Sequence, residues 1–291
     1  MTTFANAAMD YMSSKKFYQL AIRTKQIYSD GLNTLNAHGW SNRDIRDIRR
    51  TDVISLRDQL YDMPGKCRIA LVMASNVLGF CYDHGLVEYN VAAGMKDLPP
   101  TKGYERWTDA EMDQFLDTAP PHLKNVMMLA LYTGQRRSDL VKMRWSDLDV
   151  SGKRWWMHVV QKKTGTELWI PIHPKLRAHL EAMYLVRRKG PDYILLNFFG
   201  QRWIADNMRC AVKRHNAKIG LREKALHGVR KTTASILAEM GCDALQIGAI
   251  TGHLSLKELQ RYTFDAERKR LAERAMNKWE NHDGNDAGNP A

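Results

Sequence analysis

The chain contains 291 residues, of which 44% are hydrophobic, and it carries a formal net charge of +12. No apolar run approaches the roughly 20 residues that cross a bilayer, and residues 1–11 lack the basic and apolar regions of a secretory signal. We therefore expect a cytoplasmic protein without membrane contact. Its length allows two domains with separate cores, and its excess of lysine and arginine favours a polyanionic partner.

The first third of the chain has a helical pattern. Residues 4–93 carry apolar residues at helical spacing, interrupted by expected breaks at Ser29-Asp30-Gly31 and around His38-Gly39, and Gly85 is expected to end the last helix. Basic residues on these helices have two interpretations, solvated helix faces or contacts with nucleic-acid phosphates, and the pattern alone does not separate them. The residues concerned are Lys15, Lys16, Arg23, Lys25, Lys66 and Arg68.

A domain boundary is predicted near residues 97–105. Tandem prolines and a glycine between Leu98 and Gly103 stop helices, and the capping-box pattern from Thr108 to Glu111 starts a new one. The last ten residues offer no large apolar side chain to anchor them. The predicted divisions are a helical domain over residues 1–98, a linker over 99–104, a second domain over 105–280 and a disordered tail over 281–291.

The second domain is predicted to be mainly helical with a small β-hairpin. Trp155–Val160 and Leu168–Ile172 are rich in β-branched and aromatic residues, and Thr164-Gly165 between them signals a turn. This pattern places Lys163 near the hairpin tip, where a lysine is most often only solubilising. The fold class is therefore α+β, mainly α with a small β-sheet.

The four cysteines do not form a metal-binding pattern. No CxxC pair is present, and none of the cysteines lies near a second cysteine or a histidine at zinc-finger spacing. We expect buried, reduced thiols and no zinc. The cysteines are Cys67, Cys81, Cys210 and Cys242.

Arg136 stands at the predicted start of a helix. An apolar helix over Leu123–Tyr132 is broken by Thr133-Gly134, and a second helix is expected from Arg136 to Met143. Because the helix dipole disfavours cations at its start, a bound anion would reconcile the arginine with that position. The alternative is a surface ion pair of Arg136 or Arg137 with Asp139 or Asp147.

Two later segments bring further polar residues together. His227 and Arg230 are one helical turn apart, so both can face one site. His253 follows a Thr251-Gly252 pair, and Tyr262 lies nine residues beyond it. Taken singly, each of these is a weak signal, since histidines and tyrosines more often pack than react.

Together these segments resemble the tyrosine recombinases of the phage-integrase family. The resemblance covers residues 105–280 and rests on Gly134-x-Arg136-x-x-Asp139-Leu140, Lys163-Thr164-Gly165, His227-Gly228-Val229-Arg230 and Gly252-His253 ahead of Tyr262. Gln135, Val229 and Thr251 stand where the family usually has leucine, and Asp139 stands where glutamate is commoner. The catalytic residues it implies are Arg136, Lys163, His227, Arg230, His253 and the nucleophile Tyr262, referred to below as the six candidate residues.

The resemblance also implies the role of each residue. Tyr262 would attack a phosphodiester to give a 3′-phosphotyrosyl link. Arg136 and Arg230 would bind the non-bridging oxygens, and Lys163 would protonate the leaving 5′-oxygen. His227 would assist proton transfer at the tyrosine, and His253 would hydrogen-bond the phosphate. No cofactor and no metal are expected.

At the level of the whole protein, the resemblance implies a DNA breaking-rejoining fold with an N-terminal helical core-binding domain and no further arm-binding domain ahead of it. The expected function is site-specific recombination of integrase or excisionase type, with a type IB topoisomerase-like enzyme or a non-catalytic DNA-binding regulator as alternatives. The expected partners are double-stranded DNA with paired sites, a homo-tetramer on DNA that is a monomer or weak oligomer when free, and accessory DNA-bending proteins. The expected location is the nucleoid of a bacterial host.

One apolar stripe after Tyr262 stays ambiguous. Leu271, Ala275, Met276 and Trp279 share a helical face among several basic residues. They would either cover the core of their own domain or, as the resemblance implies, dock on a neighbouring protomer.

Overall fold

The computed structural model describes residues 1–101, 103–187, 190–253 and 255–286. Its internal contacts separate two units, Met1–Gly103 and Tyr104–Ala291, called the first and second unit below. No helix within the described ranges is both long and apolar enough to span a membrane.

The first unit is helical. Its core is formed mainly by α1 and α5, and the rings of Phe4 and Trp40 meet edge to face with centroids 5.4 Å apart. The helices end near the expected glycines, since Gly39 and Gly85 have φ of 77° and 68°. The elements are α1 (Phe4–Ser13), α2 (Lys15–Tyr18), α3 (Ile22–Ala37), α4 (Arg50–Gln59) and α5 (Pro64–Asp83).

The predicted helix break at Ser29-Asp30-Gly31 is wrong. α3 continues through these residues, and Gly31 is buried against α5. A Cβ at this position would lie 2.9 Å from both Cγ2 and the backbone oxygen of Ile69. The glycine therefore permits two helices to approach closely, a tertiary requirement that outweighs its low helix propensity.

The second unit combines helices with a small antiparallel sheet. β1, β2 and β3 pair in that order, with Val159 opposite Leu168 and Val160 opposite Glu167. The α+β fold class and the hairpin are confirmed, and β1 is a further short strand that the sequence did not reveal. The elements are α6 (Asp109–Thr118), α7 (Pro121–Thr133), α8 (Arg137–Leu140), a 3-10 turn (Trp145–Asp147), β1 (Leu148–Asp149), β2 (Trp156–Val160), β3 (Glu167–Pro171), α9 (Pro174–Leu185), α10 (Ala205–Lys218), α11 (Leu226–Glu239), α12 (Ala244–Thr251) and α13 (Leu256–Asp286).

The start of α6 follows the predicted capping box. The Thr108 hydroxyl accepts from the amide of Glu111 at 3.3 Å, and the Glu111 carboxylate accepts from the amide of Thr108 at 2.8 Å. The reciprocal bonds satisfy two amides at the helix start, so this helix begins where its sequence indicates.

Two helix lengths in the second unit differ from expectation. α8 is a single turn rather than a helix to Met143, because the chain bends there and the Met143 carbonyl accepts from the amide of Ile194 at 3.0 Å. α13 extends to Asp286 although disorder was expected from residue 281. Adding residues to an existing helix avoids the cost of nucleation, which explains the extension. The remaining tail residues, 287–291, lie outside the described ranges.

The cysteines also depart in part from their predicted burial. Cys67 and Cys81 are buried in the core of the first unit, but Cys210 is exposed on α10 and Cys242 is half-buried. An apolar neighbourhood in sequence does not establish burial, because the face on which a helical residue lies depends on tertiary packing.

Substituting Gly31 tests the packing of α3 on α5. Gly31→Ala should lower the free energy of unfolding by about 1 kcal/mol, since overpacking of about 1–3 kcal/mol exceeds the gain in helix propensity of up to about 1 kcal/mol. The matched control Gly65→Ala places its Cβ in open space and should not destabilise the protein. Urea denaturation measures both, and equal midpoints for the two variants would contradict the packing argument.

Candidate active site

Arg136 lies at the junction of α7 and α8. Gly134 ends α7 in the left-handed conformation, with φ of 61°, and Arg136 is the extended N-cap residue of α8. Nη1 of its guanidinium donates to the side-chain oxygen of Gln161 at 2.6 Å. Within the described ranges, the alternative ion pairs with Asp139 or Asp147 are not formed; Arg136 bonds Gln161, and Arg137 pairs with Asp206 at 3.1 Å.

Arg230 is a buried cation held by backbone carbonyls. Arg230 is only 4% exposed. Its Nη1 donates to the carbonyl oxygen of Gly134 at 2.9 Å and to the carbonyl oxygen of Thr251. A buried charge is costly unless hydrogen bonds replace its hydration. These two carbonyls replace part of the hydration that the guanidinium loses on burial.

The hydrogen bonds around His253 define its tautomer. The Thr251 hydroxyl donates to the Ile247 carbonyl at 2.6 Å, so it accepts a proton from His253 Nδ1 at 2.7 Å. Nε2 of the same ring then accepts from Nε of Arg230 at 3.3 Å. His253 is therefore neutral, with its proton on Nδ1.

Electrostatics favour the same neutral state. Desolvation, followed by the charges of Arg230 and Arg136 and then by His227, lowers the pKa of His253 to about 3. Desolvation and then the same two arginines also lower the pKa of His227. Each of these histidines thus responds to both arginines, which indicates that the four side chains share one electrostatic site.

Tyr262 lies beside His253 on α13. The two rings are tilted at 45°, with centroids 6.4 Å apart. Tyr262 is half-buried and packs against a small apolar cluster that joins α11, α12 and α13. This packing fixes the helix that carries the phenol next to the arginines and histidines.

Among the described residues, Lys163 takes no part in the contacts and charge interactions that connect the other five candidates. It lies in the turn between β2 and β3, and its side chain is exposed. Within the described part of the chain, its ammonium group forms no hydrogen bond or ion pair with the other five. The turn itself is anchored, because the Thr164 hydroxyl donates to the Gln161 side-chain oxygen at 3.1 Å.

Two residues that the sequence reasoning missed contact the candidates. Gln161 is buried and bonds Arg136 directly. The Tyr104 ring lies 4.8 Å from that of His227, at the end of a segment whose Trp107 amide donates to the Thr232 hydroxyl at 2.8 Å. A single glutamine at a strand end and a single tyrosine in a loop carry no recognisable signal. Only the unusual Gln135, which accepts from Gln161 at 2.7 Å, pointed toward this region.

Chemically, the site is suited to a phosphodiester. Two guanidinium groups provide charge and directional donors for phosphate oxygens, and the Tyr262 phenol lies beside His253, which accepts a hydrogen bond from Arg230. Their preorganisation means that little rearrangement is needed when negative charge develops.

The depressed pKa of His253 predicts a pH dependence of stability. Below the unfolded-state pKa the unfolded chain binds the proton that the folded histidine excludes, so stability should fall as pH decreases from about 6.5 toward 3. Between pH 7 and 5 this group should account for a loss on the order of 1–2 kcal/mol. His253→Asn should flatten the pH dependence measured by urea denaturation, whereas identical profiles would contradict the neutral assignment.

Similar proteins include integrases and a tyrosine recombinase. Prophage integrase IntE of Escherichia coli is 28% identical over 247 residues, which cover 75% of this chain and 62% of that protein. Tyrosine recombinase XerC of Corynebacterium glutamicum is 29% identical over 189 residues, covering 63% and 59% of the two chains. An integrase of an enterobacteria phage is matched over only 41% of its length, so the chain spans about two fifths to three fifths of these relatives.

Solved structures show the same fold. A lambda integrase dimer bound to a COC′ core site superimposes with a TM-score of 0.75 at 20% identity, over 88% of this chain and 76% of that chain. The Tn1549 transposon integrase in complex with circular intermediate DNA gives a TM-score of 0.78 at 15% identity, over 93% and 99%. The model of the phage integrase family matches residues 105–269, and the chain therefore belongs to that family.

Proposed function

We propose that the protein is a site-specific DNA recombinase that cleaves and rejoins strands through a 3′-phosphotyrosyl intermediate. The observation that carries this proposal is the bonding of Arg230 to His253, beside Tyr262, in a member of the phage integrase family. A buried guanidinium held by backbone carbonyls supplies the positive charge and the fixed N–H donors that bind a phosphodiester.

The proposed reaction is a transesterification. The Tyr262 oxygen forms a bond to phosphorus, the bond from phosphorus to the 5′-oxygen breaks, and that oxygen leaves as a hydroxyl with a proton from Lys163. One phosphodiester replaces another, so the balance of the step requires no external energy source. Arg136 and Arg230 bind the non-bridging oxygens as charge develops on them.

The two histidines take proton-handling roles in this proposal. His227 assists removal of the phenol proton. His253 donates to a phosphate oxygen only after its Nε2, which accepts from Arg230 in this structure, gains a proton. A bound phosphate favours that change because a nearby negative charge raises the pKa of a histidine.

We further propose that double-stranded DNA is the partner and that four copies assemble on it. Among the structural neighbours are a lambda integrase dimer on a core site, a lambda integrase tetramer bound to a Holliday junction and the Tn1549 integrase with DNA. The first unit would supply core-site binding. Accessory DNA-bending proteins and a monomeric or weakly associated free state belong to the same proposal.

The apolar stripe of α13 is our candidate for the contact between copies. Leu271, Met276 and Trp279 are 55%, 52% and 65% exposed, so they do not cover the core of their own unit. Exposed large apolar side chains on one helix are typical of interaction surfaces.

A covalent trapping assay tests the nucleophile. The protein is incubated with nicked DNA from the flanks of its own gene and separated under denaturing conditions. An adduct is expected with the natural sequence and with the matched control Tyr184→Phe, which alters an exposed tyrosine on α9, but not with Tyr262→Phe. An adduct that survives in Tyr262→Phe would identify a different nucleophile, and DNA binding without any adduct would favour a non-catalytic regulator.

Substrate requirements distinguish recombination from topoisomerase activity. A recombinase should exchange strands only between paired specific sites, with DNA affinity that decreases steeply with salt. Relaxation of any supercoiled plasmid by a monomer would instead support the topoisomerase-like alternative.

The stripe on α13 is tested by making it polar. Combining Leu271→Ser, Met276→Gln and Trp279→Gln should weaken tetramer assembly on a four-way junction by about tenfold or more, because burial of each such side chain contributes on the order of 1.5–3 kcal/mol. Binding to a single site should stay within about twofold of the unaltered protein. The control Leu185→Ser changes a residue that is 86% exposed and should leave assembly intact; undiminished assembly in the triple variant would exclude the stripe.

A further inference from the structure

The side chain of Gln161 is the junction of the hydrogen-bond network in this site. It is 1% exposed, and its oxygen accepts from Arg136 at 2.6 Å and from Thr164 at 3.1 Å. Its nitrogen donates to the side-chain oxygen of Gln135 at 2.7 Å and to the carbonyl of Thr251 at 2.8 Å. All of the bonds that a glutamine amide can form are therefore used.

The partners allow only one orientation of this amide. The nitrogen of Gln135 donates to the carbonyls of Thr133 and Ile250, each at 2.9 Å, and carbonyls only accept, so the oxygen of Gln135 must face Gln161. A flipped Gln161 would direct its own N–H groups at the Arg136 guanidinium and its oxygen at two other oxygens. The donors and acceptors around the Gln161 amide therefore determine which of its two ends is the oxygen.

The network links both arginines to the lysine turn. The Thr251 carbonyl oxygen accepts hydrogen bonds both from the Gln161 side-chain nitrogen and from Arg230. The Gln161 amide therefore bonds Arg136 directly and is linked to Arg230 through this one oxygen. The same side chain holds Thr164, the residue after Lys163, and the Gly165 amide donates to the Gln161 backbone oxygen at 2.9 Å.

Steric constraint at Gly252 confirms how closely this amide is enclosed. A Cβ on Gly252 would lie 2.3 Å from the Gln161 side-chain nitrogen, and the residue has φ of 71°. The amide therefore packs directly against the backbone at Gly252, and its four hydrogen bonds fix it between its partners.

We propose that Gln161, supported by Gln135, is a positioning residue that sets the Lys163 turn relative to the two arginines. This role rests on the proposed function. The neutral, buried Gln161 amide aligns Lys163, which delivers the proton, with the two arginines, which bind the phosphate. It contacts no reacting atom and acts through Arg136 and Thr164.

The experiment compares two leaving groups in single-turnover cleavage by the full chain. One substrate has the ordinary scissile phosphodiester, and the other has sulfur in place of the 5′-bridging oxygen, a thiolate leaving group that does not need protonation. Gln161→Met, similar in size but without hydrogen bonds, should lose about 100-fold in rate on the oxygen substrate, as expected for a misplacement near 1 Å. On the sulfur substrate we expect the loss in cleavage rate of Gln161→Met relative to the natural sequence to be smaller by at least about tenfold. The affinity of the variant for DNA should be unchanged.

Thr164 provides a second and milder variant. Thr164→Val removes the hydroxyl that bonds Gln161 and should lose about tenfold on the oxygen substrate, with full recovery on sulfur, whereas Thr164→Ser should retain the natural rate. This pair keeps the proposal testable if Gln161→Met does not fold. Gln114→Met on α6 is the control for the glutamine substitution and should match the natural protein on both substrates.

Each remaining outcome opposes a specific claim. Equal losses on the two substrates, or a Thr164→Val variant that cleaves at the natural rate, would overturn the positioning role while leaving the proposed function intact. Absence of cleavage by the natural sequence on either substrate would instead contradict the proposed function itself.

Discussion

The arrangement of the site depends on holding two guanidinium groups, one of them buried, around the same two histidines. Taking a guanidinium out of water is costly unless hydrogen bonds replace its hydration. Arg230 bonds the carbonyls of Gly134 and Thr251 and the ring of His253, and Arg136 bonds an amide oxygen. These acceptors replace part of the lost hydration, so their geometry determines where the two guanidinium groups lie.

This requirement explains why backbone carbonyls at helix ends are recruited. The last carbonyls of a helix have no partner within the helix, and α7 and α12 each end at a left-handed glycine, Gly134 and Gly252. Both helix ends lie against Arg230, whose Nη1 donates to the carbonyl oxygens of Gly134 and Thr251. The negative ends of two helix dipoles therefore solvate one buried cation, and the same chain reversal leaves room for the Gln161 side chain at Gly252.

Local signals could be predicted from the sequence, whereas contacts between distant segments could not. The capping box of α6 and the hairpin of β2 and β3 depend on neighbouring residues, and both are present. Gly31 indicates a helix break locally, but its role is fixed by α5. Gln161 donates to a carbonyl 90 residues away, a relation that no spacing rule reveals. The six candidate residues could be named from the sequence because it resembles a known family, and the roles assigned to them are predictions.

Burial divides the six candidate residues according to what each would have to do. Groups that bind a phosphate must be fixed before charge develops, and the buried Arg230 would meet this requirement in the proposed reaction. An acid that follows a departing oxygen needs reach as well as alignment, and the exposed Lys163 side chain on an anchored turn would provide both in that reaction. A flexible lysine on a loose loop would lack alignment, and a buried one would lose its charge. Anchoring the turn through a neutral buried amide, and not through the lysine itself, satisfies the two requirements together.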